Sequence, residues 1–115
     1  MVSNYHVEAK LKLEDKFNKV MWGIADEIQE VFHTVPTRFL QMLSKYDGVG
    51  TAKRLLATKK PGSGFTSLAE SGRYDLSAEY YVIKLEYKTI FTDEERQVAR
   101  DRLIAYGYKI QQESE

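Results

Sequence analysis

The 115-residue chain contains no cysteine. Disulfides and thiolate zinc sites are therefore excluded, and nothing in the sequence calls for an oxidising compartment. Histidine is almost as scarce, with only His6 and His33. A metal site needs three or four converging ligands, and no His-x-x-x-His spacing occurs, so neither a metal nor a cofactor is expected. No run approaches the roughly 18 apolar residues of a membrane span. The opening residues, among them Ser3, Asn4 and His6, lack the apolar core of a secretory leader. The sequence reads as a cytoplasmic protein.

Recognisable catalytic groupings are also missing. Carboxylates pair at Glu14/Asp15, Asp26/Glu27 and Glu94/Glu95. Acid–base work needs two carboxylates converging on a cleft in environments that separate their pKa values. These pairs fall on amphipathic helical patterns, where solvated faces are the expectation. The segment Lys60-Pro61-Gly62-Ser63-Gly64 is glycine-rich. It has its lysines before the glycines and a helical pattern before the loop, the reverse of a phosphate-binding P-loop. The expected protein is a binding module and not an enzyme.

What is present is an uneven distribution of charge. The total is zero, with 17 basic and 17 acidic residues. Residues 1–36 hold four basic and six acidic groups, residues 37–73 seven and two, and residues 74–115 six and nine. The basic middle comprises Arg38, Lys45, Lys53, Arg54, Lys59, Lys60 and Arg73. Its main candidates for a contact with nucleic acid or a nucleoprotein are Lys53, Arg54, Lys59, Lys60, Arg73 and Arg38, which would supply affinity through phosphates without reading sequence. Aromatic residues are the second feature, with eight tyrosines and one tryptophan. Tyrosine offers a large, stiff contact area. Trp22, one residue off the main helical stripe, and the pair Tyr80 and Tyr81 are the candidates for a protein interface.

The periodicity predicts an all-α fold: a compact orthogonal array of five to six helices led by a long N-terminal one. Val7, Leu11, Phe17, Val20, Met21, Ile24, Ile28, Val31 and Phe32 recur at three- and four-residue steps, which predicts a helix from about Tyr5 to Phe32 with these residues on its buried stripe. Gly23 inside it suggests a close helix contact. Pro36 ends the pattern. A second helix is expected from an N-cap at Thr37 to Tyr46, a turn over Asp47-Gly48-Val49-Gly50, and a third helix from about Gly50 to Thr58 with Ala52, Leu55 and Leu56 inward. Together they have helix–turn–helix proportions. Residues 59–64 read as a mobile loop, and Thr66–Ser71 as a short helix closed by Gly72. Ser77 is a cap for a helix carrying Tyr80, Tyr81, Val82 and Leu85. The stretch Tyr80 to Ile90 has strand propensity but is read as helical, because a lone strand would have no neighbour to pair with. Thr92 and Glu95 have capping-box spacing before a last helix that turns Val98, Ala99, Leu103 and Tyr106 inward and stops at Gly107. The polar tail 111–115 is expected to fray. Residues 1–36 and 37–110 are read as a long helix and a helical domain packed on it as one folding unit.

The segments Thr37-Arg38-Phe39-Leu40-Gln41-Met42, Ala52-Lys53-Arg54-Leu55-Leu56, Gly64-Phe65-Thr66-Ser67-Leu68, Gly72-Arg73-Tyr74-Asp75-Leu76-Ser77 and Leu85 to Arg102 occur in that order. Over about residues 37–106 they resemble a small, poorly characterised bacterial helical domain, found alone or attached to larger proteins, some nuclease- or restriction-like. The resemblance implies a helical domain without an activity to transfer. By analogy it suggests a role in phage–host conflict, in which a mobile-element version would antagonise a host defence component. The chain departs from the resembled pattern at Ala69, where tryptophan is expected, at Tyr74, where leucine is, and at Tyr80-Tyr81, where small or aliphatic residues are.

Overall fold

The computed structural model describes residues 2–110, with side chains from residue 5 onward. Its described residues are all-α, with a long N-terminal helix and no strand. The helices are α1 (Val2–Phe32), α2 (Thr37–Leu56), α3 (Ser63–Glu70), α4 (Ala78–Val82) and α5 (Asp93–Ala105), with 3₁₀ turns at Tyr74–Leu76 and Leu85–Tyr87. The chain divides into two compact units, residues 1–51 and 52–115, so the division falls within α2 and not at Pro36. The polar tail lies outside the described residues.

In the N-terminal unit, α1 buries Phe17, Met21, Ile24 and Ala25, the centre of the expected stripe, and α2 contributes Leu43. The stripe is shorter than its sequence pattern. Val7 and Leu11 are exposed, as are Val31 and Phe32 at the other end. The apolar spacing continues past the turns of α1 that its own unit covers. Gly23 makes no close contact, since a Cβ there would meet nothing within 4 Å. The helix after Pro36 begins one residue earlier than Thr37 as N-cap would require. The Pro36 carbonyl accepts the first intrahelical bond, from Leu40 N–H at 2.9 Å. The Thr37 hydroxyl points back to the Val35 carbonyl at 3.4 Å.

The turn expected over Asp47 to Gly50 is instead a one-residue break within α2, at Asp47 (φ 61°, ψ −177°), and Val49 and Gly50 are helical. No three- or four-residue helix–turn–helix linker is present. At this break Gly48 donates its N–H to Asn18 Oδ1 of α1 at 2.7 Å. A Cβ on Gly48 would stand 2.6 Å from the Asn18 Cα. Backbone approaches backbone here, and only glycine permits that.

The C-terminal unit packs the last turn of α2 with α3, α4 and α5. Its core includes Ala52, Leu56, Phe65, Ala69, Leu76, Val82, Ile83, Tyr87, Ile90, Phe91, Ala99 and Leu103. Helix α3 starts at Ser63, so Ser63 and Gly64 are helical and not part of the preceding loop. The region 77–90 is not one helix. Ser77 caps α4, accepting from Tyr80 N–H at 3.3 Å, but α4 ends at Val82, Lys84 turns extended (ψ 137°), and a 3₁₀ turn follows. The cause lies outside the segment. Arg96 of α5 donates Nε to the Val82 carbonyl (3.3 Å) and Nη2 to the Ile83 carbonyl (2.8 Å), which satisfies the helix end without further helix. Leu85 consequently points to solvent at 54% exposure. Tyr106, expected inward, is 40% exposed, with its ring edge-to-face against buried Phe65 at 5.4 Å. The Thr92–Glu95 capping box opens α5 in both directions.

Candidate contact surface

The basic candidates are divided between the two units, and two of them face carboxylates. Lys53 donates to Glu95 Oε1 at 2.7 Å and lies 5.3 Å over the Phe91 ring. Burial raises the Glu95 pKa, but hydrogen bonds from Lys53 and from the Thr92 backbone outweigh it and hold the carboxyl below its ordinary value. Arg73 makes a two-pronged pair with Asp75: Nε to Oδ1 and Nη2 to Oδ2, both 3.0 Å. The Arg73 hydrogen bond holds the Asp75 carboxyl low against the opposing effect of burial. Arg38 is exposed in the N-terminal unit, whereas the other five belong to the C-terminal one. Arg54, Lys59 and Lys60 are exposed at the end of α2 and in the loop beyond it.

That loop is rooted by a side chain the sequence reading did not single out. Arg102 of α5 donates Nη1 to the Leu55 carbonyl (2.9 Å) and Nη2 to the Thr58 carbonyl (2.8 Å) and hydroxyl (3.2 Å). The same guanidinium meets Glu79 Oε2 of α4 at 3.1 Å, with the two side chains only 7% and 4% exposed. Burial raises the Glu79 pKa, and its backbone and Arg102 hydrogen bonds offset this only in part. The group is a structural clamp joining α2, α4 and α5 within the unit.

Tyrosines, by contrast, are brought together. Helix α3 ends in a Schellman turn: Gly72 N–H bonds the Ala69 carbonyl (3.0 Å) and Arg73 N–H the Leu68 carbonyl (2.8 Å), with Gly72 at φ 73°. Helix α5 ends the same way, with Gly107 N–H to Ile104 O (3.0 Å), Tyr108 N–H to Leu103 O (2.9 Å) and Gly107 at φ 98°. The first turn leads into Tyr74 and the second into Tyr108. The two are fastened by the Tyr74 hydroxyl, which donates to the Tyr106 carbonyl at 2.8 Å. Ser77 then links Tyr74 to α4, donating its hydroxyl to the Tyr74 carbonyl at 2.7 Å.

The result is a chain of ring contacts. Centroids are 5.2 Å apart for Tyr74–Tyr108, 5.8 Å for Tyr108–Tyr80 and 5.1 Å for Tyr80–Tyr81. The last two are edge-to-face, a favourable quadrupole arrangement. Lys84 Nζ lies 4.6 Å from the Tyr80 centroid and 5.7 Å from that of Tyr81. All four tyrosines are half-buried. Tyr80 and Tyr81 were legible as interface candidates, but Tyr74 and Tyr108 were not. Their available signal was the position directly following a helix-ending glycine turn. Trp22, the third aromatic candidate, is half-buried in α1 of the N-terminal unit.

Two open depressions lie in the N-terminal unit. One, about 440 Å³, is lined by Val35, Thr37, Leu40, Gln41, Ser44 and Lys45, with no histidine or carboxylate. The other, about 370 Å³, is lined by Glu14, Asp15, Asn18, Tyr46, Asp47, Val49 and Gly50. Among the described residues no group of three or more acidic or histidine side chains is arranged to hold a metal ion, and no helix is long and apolar enough to cross a membrane. The chain matches no family model, and no curated protein or solved structure is significantly similar to it.

Proposed function

We propose that the chain is a non-catalytic protein-binding module, an adaptor or small inhibitor, whose contact surface is the ledge formed by Tyr74, Tyr80, Tyr81 and Tyr108. The observation that carries this reading is the continuous run of half-buried rings from Tyr81 to Tyr74, held from below by two Schellman turns and the Ser77 cap. Rings already fixed by their neighbours lose little side-chain entropy when a partner covers them, and tyrosine is favoured at the centres of protein interfaces for that reason. Three of the four stand where the chain departs from the resembled bacterial domain, consistent with a surface turned to a new partner. An antagonist of a host defence component fits this reading.

Contact with nucleic acid or a nucleoprotein is the competing reading. It retains Lys59 and Lys60, exposed on a loop rooted by Arg102. It loses support where Lys53 and Arg73 are matched by Glu95 and Asp75.

The two separate in one experiment. The full chain and its Tyr80→Ser/Tyr81→Ser and Lys59→Ala/Lys60→Ala variants are used to recover partners from the cells that produce it, at low and at high salt. The ledge reading expects a protein retained at high salt by the wild type and the lysine variant and lost by the tyrosine variant. A nuclease-sensitive complex that dissolves steeply with salt and depends on the lysines would overturn it.

A further inference from the structure

We propose that the N-terminal turns of α1 pair antiparallel with the same turns of a second copy of this chain. Every residue from Tyr5 to Lys12 is exposed, including Tyr5 at 74%, Val7 at 55% and Leu11 at 58%, and the first buried residue of the helix is Phe17. These turns extend a helix already nucleated by its buried part, and they leave their apolar side chains in water.

Val7 and Leu11 are one turn apart and share a face. At about 100° per residue that face continues the side of α1 on which Ala25 is buried, beyond the turns that its own unit covers. Glu8 and Lys12 lie together along one edge of it. An antiparallel pair centred near Ala9–Lys10 sets Val7 against Leu11 of the second copy and Glu8 against Lys12 of the second copy, each twice by symmetry. Edges that face each other in antiparallel helices are like edges, so the Glu8–Lys12 edge complements itself. A parallel pair would instead bring Glu14 against its own counterpart along the continued face and place both folded units at the same end. Lys10, on the far edge, meets its own counterpart in the antiparallel pair and keeps the association weak.

The contact covers about three turns per copy, below the roughly 1,200 Å² of a standard stable interface, so a dissociation constant on the order of 10–100 µM is expected. Sedimentation equilibrium of the full chain across about 5–500 µM tests it. The wild type passes from monomer to dimer within that range, and Leu11→Asp stays monomeric throughout. Glu8→Lys and Lys12→Glu each weaken the dimer, and the double exchange Glu8→Lys/Lys12→Glu restores it to within about threefold of wild type. These positions are exposed, so each variant keeps the fold, checked by its unfolding midpoint. A wild type that remains monomeric, a dimer that survives Leu11→Asp, or a double exchange no tighter than its single parents would overturn the proposal.

Discussion

Two residues show how burial and pairing decide what a side chain contributes. The Thr51 hydroxyl is fully buried and has no hydrogen-bond partner among the described residues. Replacing it with the isosteric valine removes an unsatisfied group without changing volume, so Thr51→Val is expected to raise stability by about 1 kcal/mol in urea titration. At the clamp, Arg102→Leu leaves the Glu79 charge unpaired and takes donors from the Leu55 and Thr58 carbonyls, at an expected cost of roughly 3–5 kcal/mol. Glu79→Gln keeps the shape and loses only the buried charge, so it should be far milder. The folded pKa of Glu79 is raised, so its proton uptake favours the folded state. That contribution is fully present below the unfolded value, near 4.5, and fades as pH rises through the folded value. Stability of wild type relative to Glu79→Gln should therefore grow as pH falls from 8 towards 4.5. An unchanged difference across that range would mean that burial does not dominate at Glu79.

At the scale of elements, the features written locally in the sequence were the readable ones. The Thr92–Glu95 box, the glycines closing α3 and α5, and the break at Asp47-Gly48 each depend on residues within one turn of one another. The end of α4 was not readable, because its carbonyls are satisfied by Arg96, 13 and 14 residues further along. Nor was the fate of Lys53, whose carboxylate partner is 42 residues away. The Arg73–Asp75 pair spans only two residues and was within reach of a local reading. Where α2 meets α1, Gly48→Ala would force a Cβ against the Asn18 backbone. It is expected to cost roughly 1–3 kcal/mol, as overpacking does, although alanine favours helix in general. A gain in stability would show that the contact at Asn18 yields easily.

For the whole molecule, charge totals say less than the positions the charges take. Over residues 52–110 eleven basic side chains stand against eight acidic ones. Among the eleven, Lys53, Arg73 and Arg102 face carboxylates within the same unit. Two members of the basic stretch, Lys53 and Arg73, are thus matched within their own unit, and the surface proposed for a partner is the line of tyrosines. Two of its members were visible as an adjacent aromatic pair. The other two follow helix-ending glycine turns that are local, but the meeting of residues 74 and 108 is a long-range event that no local pattern encodes. A photoreactive phenylalanine at position 81, in the full chain and in the cells that produce it, tests the ledge most directly. The account predicts one dominant protein adduct, insensitive to nuclease and absent when the same residue is placed at the exposed position 26. Adducts confined to nucleic acid, or a protein adduct equally strong from position 26, would contradict it.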